Sequence, residues 1–333
     1  MKSIVALVIL LFVSISLFAQ NGLTGGEYFL LQKDSSTISV NVFKNNEIIE
    51  VKNFTIPQKS LYTTDQKARV VVLDKADNSL SLYDIMSSNE TKLSIPYDIE
   101  PYTILLNDDN IFVGGGLGEE MMVQYHIKTD KWYSLEIQSK IRDFRKGIDD
   151  LVINDSLLIA IDNIVFPKYL IIYYLNSEGR LILSHIKRLK PERTGEQILS
   201  GRLSNKYIGL RSTSHGSGFF VNSITIYKDV SFDTFFSISL CERTRFMFYA
   251  NFQTFIDFVI IGDKLLIASK EYGLGIFEIK EEYFKSRLND VEIMKTKYTN
   301  KGIKKLTLIP NTDRVVMTVE DEEGGFNNIL IEL

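Results

Sequence analysis

A short strand pattern ending in an aromatic residue recurs along this 333-residue chain. In each copy apolar side chains take alternate positions, as in "TISVNVFK" (Thr37–Lys44) and "SLSLYDI" (Ser79–Ile85), and this period is typical of half-buried β-strands. The aromatic position marks each copy, and we call its residue the marker. The seven markers are Phe43, Tyr83, Tyr125, Tyr173, Tyr227, Phe277 and, in the last copy, Ile331. These residues lie 40 to 54 positions apart. Propeller blades and helical repeats both have periods of this size, and the alternation disfavours helices.

Further strand patterns flank most copies. An apolar strand precedes the marker, as in "RVVVL" (Arg69–Leu73), and another follows it, as in "WYSLEI" (Trp132–Ile137). A fourth lies further upstream, as in "YTILLND" (Tyr102–Asp108). Four short antiparallel strands per repeat are typical of a propeller blade. Because one such sheet cannot cover both of its faces, the blades must stack around an axis.

The sequence therefore predicts an all-β fold, a single β-propeller over residues 20–333. Seven markers favour seven four-stranded blades. The first segment, Glu27–Thr55, and the last, Gly302–Leu333, show three strands each. A six-bladed ring, in which N-terminal strands complete the last blade, is the alternative.

The best-preserved copy is "DKLLIASKEYGLGIFEIK" (Asp263–Lys280). It resembles the LVIVD-type and related WD40-like propeller repeats through Gly273, Leu274, Ile276, Phe277, Glu278 and Ile279. The resemblance implies a propeller and no particular function, because propellers host many. We expect Gly273 to serve backbone geometry.

The first nineteen residues are typical of a cleaved secretory signal: Lys2 precedes an uncharged apolar run, Ile4–Phe18, and then Ala19. An uncleaved membrane anchor is the alternative. After cleavage no membrane span is expected, and the predicted location is periplasmic or secreted. Cys241 is the only cysteine, so no intrachain disulfide can form, and export without disulfides favours a bacterial cell envelope.

Loops between the second and third strands of all blades emerge on one face of a propeller, and long loops on a rigid scaffold often carry binding residues. We predict a ligand-binding rim there, formed by Glu119, Glu120, Arg211, His215, Tyr272, Glu322 and Glu323. Plain solvated turns are the alternative. Loop "RSTSHGSG" (Arg211–Gly218) supplies two of these residues. The glycines of "GGGLG" (Gly114–Gly118) are expected to serve turns, because a strand and not a helix follows them.

Known chemical signatures are weak. The histidines show no metal-ligand spacing, and "EDEEGG" (Glu320–Gly325) offers oxygen ligands for Ca²⁺ without the EF-hand spacing. Apart from Ca²⁺ no cofactor is expected. Two inserts, Ser139–Asp150 and Lys280–Glu292, interrupt the repeat. The second has a helical charge pattern, although a solvated connection is favoured for both.

A formal charge of −4 gives no indication of nucleic-acid binding. The absence of a recognisable catalytic motif favours binding over catalysis. We therefore predict a binding or scaffold module for a protein, peptide or glycan, either monomeric or part of an envelope complex. The alternative is a metal-dependent hydrolase or lyase of the lactonase-like propeller type, with a metal held on the axis by carboxylates and Asn.

Overall fold

The computed structural model describes residues 28–65, 67–116, 120–135, 147–154, 156–162, 168–189, 197–216, 219–243, 255–269, 273–285, 287–289, 295–298, 302–322 and 324–333. The strands within these ranges form seven separate sheets, which are the blades of a β-propeller. Seven blades are therefore confirmed. The predicted signal at residues 1–19 lies outside the described residues and stays a prediction.

Each blade is a meander of short strands. Blade 1 contains β1 (Tyr28–Gln32), β2 (Thr37–Lys44) and β3 (Glu47–Thr55). Blade 2 contains β4 (Leu61–Thr64), β5 (Arg69–Asp74), β6 (Ser79–Asp84) and β7 (Glu90–Ser94). Blade 3 contains β8 (Glu100–Asn107), β9 (Asn110–Gly116), β10 (Met122–His126) and β11 (Lys131–Ser134). Blade 4 contains β12 (Asp150–Asn154), β13 (Leu157–Ile161), β14 (Lys168–Leu175) and β15 (Leu181–Leu189).

Of the remaining blades, blade 5 has five described strands, blade 6 has four and blade 7 has three. Blade 5 contains β16 (Gln197–Leu203), β17 (Ile208–Gly216), β18 (Phe219–Tyr227), β19 (Phe235–Arg243) and β23 (Arg287–Asn289). Blade 6 contains β20 (Phe255–Ile261), β21 (Lys264–Ser269), β22 (Gly273–Glu278) and β24 (Lys295–Tyr298). Blade 7 contains β25 (Ile303–Leu308), β26 (Arg314–Glu320) and β27 (Phe326–Glu332).

Blades 1 and 7 have three described strands each, as their sequence segments indicated. Strands of a blade are counted outward from the axis, and in blade 1 the first of these positions has no described strand. The N–H of Phe326, at the start of β27, donates to the carbonyl of Lys33, just after β1 (3.3 Å). The end of β1 thus meets the connection between the second and third strands of blade 7, so β1 runs as a second strand. All seven markers then lie in third strands.

The core lies between blades. Alternate residues of one strand face opposite neighbours: Leu265 and Ile267 of β21 pack against blade 5, whereas Leu266 and Ala268 pack against blade 7. Similar clusters fill the other junctions, and this is why the second strands contain almost uninterrupted apolar sequence. Among the described residues, the junction between blades 7 and 1 has the smallest cluster, with four buried side chains: Phe29, Leu31, Ile309 and Val316.

The insert after β22, for which the sequence favoured a solvated connection, is packed against the core. Glu281–Lys285 forms a short 3-10 helix, and Phe284 is buried against blades 5 and 6. The chain then adds β23 to blade 5 as a fifth strand, parallel to β19. The solvated connection predicted for this stretch was therefore wrong, because its aromatic residues complete the core. The other insert lies outside the described residues up to residue 146.

Two loop predictions also need correction. Residues Arg211–Gly216 are not a loop, because they extend the hairpin and pair with β18 as far as Phe219. Gly114–Gly116 belong to the buried strand β9 and not to a turn. At Gly115 a Cβ atom would stand 2.0 Å from the carbonyl oxygen of Glu100, so the close approach of β8 requires glycine there. Gly273 has a φ of +76°, which agrees with its expected backbone role.

Within the described ranges, no helix is long and apolar enough to cross a membrane.

The central channel as candidate functional site

Two aspartates hold neighbouring blades together near the axis. Asp150 in β12 and Asp257 in β20 take equivalent places in the first strands of blades 4 and 6. Each carboxylate accepts the N–H of the next residue (3.0 and 2.8 Å). Each also accepts an N–H from the first strand of the following blade, from Gly201 (2.8 Å) and Leu306 (3.0 Å) respectively. Burial raises the pKa of Asp150, against the opposing effect of Arg202.

The guanidinium group of Arg202 is a further partner of the Asp257 carboxylate. Arg202 donates from Nη2 to Asp257 Oδ1 (2.6 Å) and from Nη1 to the carbonyl of Gly201 (2.8 Å). The Asp257 side chain is 8% exposed and that of Arg202 32% exposed. The charge of Asp257 raises the pKa of Arg202, so the guanidinium stays protonated. Blade 5 is thus linked through this pair to the carboxylate that already connects blades 6 and 7.

Arg211 also lies in this part of the channel. Its Nη1 donates to the carbonyls of Phe255 (2.8 Å) and Ile256, and its Nε donates to Ser200 Oγ (3.2 Å). These carbonyls belong to the β-bulge of β20, which Arg211 thereby fixes. Burial lowers the pKa of its guanidinium. Sequence analysis predicted Arg211 on the rim; the structure places it in β17, facing blade 6.

Lys305 takes in blade 7 the place that Asp257 takes in blade 6, since each directly follows a bulge in a first strand. Its side chain is exposed to the channel. Its ammonium lies 5.8 Å from the ring centre of Tyr62, in blade 2. Surrounding protein lowers the pKa of Lys305, with Arg202 acting in the same direction and Asp257 opposing it.

The two aspartates and the lysine described above lie near the starts of their first strands. The mouth of the channel at the other ends of these strands is mostly uncharged. The last residues of six first strands and the turns after them enclose a cavity of about 800 Å³. It is lined by Thr63, Thr64, Asp65, Leu105, Leu106, Asn107, Ile153, Asn154, Leu203, Ser204, Asn205, Lys206, Ile260, Ile261, Gly262, Leu308, Pro310 and Asn311. Its two charged residues are already paired, Asp65 with Arg69 (2.7 Å) and Lys206 with Asp263 (2.8 Å). The lining thus offers apolar, amide and hydroxyl groups.

The structure describes the predicted rim only in part. Glu119, Tyr272 and Glu323 lie outside the described residues. The carboxylate of Glu120 accepts a hydrogen bond from Ser134 Oγ (2.5 Å), and Glu322 is exposed in a turn.

His215, the other predicted rim residue, lies in β17 opposite Phe220. At the predicted Ca²⁺ loop, the carboxylate of Asp321 accepts the N–H of Gly325 (2.7 Å) and so closes its own turn. In the described part of the chain, no three His, Cys, Asp or Glu side chains are grouped to hold a metal ion. The rim and the Ca²⁺ site stay predictions.

Comparison with known proteins shows the fold alone. No protein-family model matches the chain, and no curated protein matches it. Apo AztD from Citrobacter koseri is 8% identical, with a TM-score of 0.55 over 92% of this chain and 89% of that one. Saccharomyces cerevisiae Sqt1 is 12% identical, with a TM-score of 0.53 over 93% and 82%. A chain of a nidogen/laminin complex is 10% identical, with a TM-score of 0.50 over 76% and 90%. The propeller that the blade resemblance implied is therefore confirmed; the LVIVD subtype and a bacterial origin stay predictions.

Proposed function

We propose that this propeller is an exported binding module of the bacterial cell envelope, which holds a protein, peptide or glycan at the cavity of its channel mouth. One observation carries the proposal. The cavity of about 800 Å³ is built by six blades and is lined by neutral groups and two paired charges. Apolar surface with a few polar groups on a rigid scaffold is typical of binding sites.

Further support comes from the sequence and from one structural neighbour. The N-terminal apolar run favours export. The single cysteine allows no intrachain disulfide, which favours a bacterial cell envelope as the destination. The nidogen/laminin complex shows a chain of similar fold in a protein assembly. The rim of the opposite face, where sequence analysis placed binding, remains a second surface for the same partner.

Catalysis by a metal on the axis has less support. Asp150 and Asp257 lie near the axis, and backbone N–H groups from two blades already occupy both carboxylates. Arg202 adds a cation beside Asp257. A divalent metal would have to displace these partners.

The proposal is tested by binding measurements on the purified chain, with a glycan array and a peptide library as probes. Leu308 is 38% exposed in the mouth, so Leu308→Glu should weaken binding about ten-fold or more by placing a charge in a neutral cavity. Ile182→Glu is the control, because Ile182 is 54% exposed on the outer strand of blade 4. Equal binding by both variants, or turnover of a probe, would contradict the proposal.

A further inference from the structure

Lys305 is a cation that faces the channel. Lys305 makes no hydrogen bond and no ion pair with any residue of the described chain; its one specific contact is the ring of Tyr62. Its neighbour Lys304, by contrast, forms an ion pair with Glu320 on the surface. The protein around the Lys305 ammonium removes part of its hydration, although the side chain stays open to the channel, and an anionic partner would offset that loss.

The charges around Lys305 do not balance. Counted as formal charges, the cluster holds the carboxylates of Asp150 and Asp257 and the cations of Arg202, Arg211 and Lys305, which is an excess of one positive charge. Neither carboxylate is available to Lys305. Asp257 is shared between Arg202 and two backbone N–H groups, and Asp150 lies between blades 4 and 5.

Lys305 differs in its contacts from the corresponding residue of blade 6. That residue, Asp257, bonds to the first strand of the next blade. Lys305 instead lies near the ring of Tyr62 in blade 2, and its side chain is open to the channel.

We propose that the channel binds a single carboxylate at Lys305, with the ammonium as its main donor. A carboxylate carries one negative charge, which equals the excess of the cluster. Asp150 and Asp257 disfavour a doubly charged phosphate at the same place. The carboxylate belongs to a free small acid or to an acidic side chain of a bound peptide. This site is separate from the neutral cavity at the channel mouth and does not depend on it.

The test follows the ε-CH₂ signal of Lys305 by NMR in ¹³C-lysine-labelled protein, assigned by its absence in Lys305→Met. Acetate and an end-capped peptide with one Asp are titrated at constant ionic strength, with chloride and the matching Asn peptide as references. We expect acetate, the Asp peptide or both to shift the signal and to raise the titration midpoint of Lys305. A response to acetate indicates a free acid, and a response to the peptide alone indicates an acidic side chain.

Matched variants separate a site from general charge effects, and calorimetry with the ligand that responded measures their binding, because the Lys305 variants lack the NMR signal. Lys305→Met, with Lys305→Gln in reserve should the first fail to fold, should weaken carboxylate binding about ten-fold or more, since a charge-assisted hydrogen bond is lost. Lys304→Met should bind as the parent chain does. A Lys305 signal that responds to neither carboxylate, that responds equally to chloride, or binding that survives in both Lys305 variants would overturn the proposal.

Discussion

Asp257 joins three blades through one carboxylate. Asn at this position keeps the shape and loses the charge, which leaves Arg202 without its ion-pair partner. Breaking a buried pair costs about 3–5 kcal/mol. Because Arg202 keeps 32% of its side-chain exposure, we expect Asp257→Asn to lower the free energy of unfolding by ~2–4 kcal/mol. Urea denaturation measures this loss.

The matched control is Asp233→Asn. Asp233 pairs with Lys187 on the surface, and its side chain is 74% exposed. Such pairs contribute about 1 kcal/mol or less. Equal losses in the two variants would show that the channel pair is no more than another surface ion pair.

Asp150 gives a prediction on pH. Its pKa is raised in the folded protein, above about 3.9 in the unfolded chain. Between these two values the native state holds a proton that the unfolded state has released. Stability should therefore fall as pH rises through this window. Asp150→Asn removes this contribution, so the stability difference between parent and variant should change from pH 4 upward until the folded pKa is passed. Urea denaturation at several pH values checks this, and a difference independent of pH would contradict it.

At the scale of elements, the 3-10 helix Glu281–Lys285 belongs to the core. The ring of Phe284 is 5% exposed, stacks on Tyr207 at 5.6 Å and meets Phe236 edge-on at 5.1 Å. Phe284→Ala should lower the free energy of unfolding by ~3–5 kcal/mol, as removal of a buried aromatic ring usually does. Denaturation midpoints test this. The control Tyr174→Ala removes a ring that is 41% exposed and should cost about 1 kcal/mol or less. A comparable loss in both variants would restore the solvated-connection interpretation.

Strands with a local signature were predictable from the sequence. The alternation that ends at Tyr125 or Phe277 is a property of the strand itself, and both residues lie in third strands. Longer-range effects were not visible. Arg211 looked like the start of a loop because polar residues follow it, yet β18 pairs with the whole stretch. Gly115 looked like a turn residue, and only the close approach of β8 shows that a strand needs it.

At the scale of the whole molecule, the charged cluster depends on closure of the ring. Asp150, Arg202, Asp257 and Lys305 come from four first strands between residues 150 and 308. The one signal in the sequence was a charge inside an apolar strand, as in "FIDFVII" (Phe255–Ile261). Such a charge indicates that the folded protein supplies a polar partner, but the sequence does not identify the residue. The partner lies in another blade, so the alternation within one strand could not predict it.

Ring closure also determines where the propeller is weakest. In the described chain, four buried side chains form the cluster between blades 7 and 1, against ten or more at every other junction. Arg314 reinforces it: its guanidinium lies 4.7 Å from the ring centre of Phe43 and bonds to Asn46 Oδ1 (3.0 Å). Because regions with little buried apolar surface open first, the amides of β1 and β27 should exchange with deuterium before those of β13 and β14.

Arg314→Ala should widen that difference. We expect it to accelerate exchange in β1 and β27 about ten-fold, which corresponds to ~1.4 kcal/mol of local stability, and to leave blades 3 to 5 unchanged. Arg180→Ala is the control, because Arg180 also stacks on an aromatic ring, that of Tyr133 at 4.9 Å, far from the junction. Uniform acceleration across all blades would mean that the ring opens as one cooperative unit. In that case the small junction between blades 7 and 1 would not be its weak point.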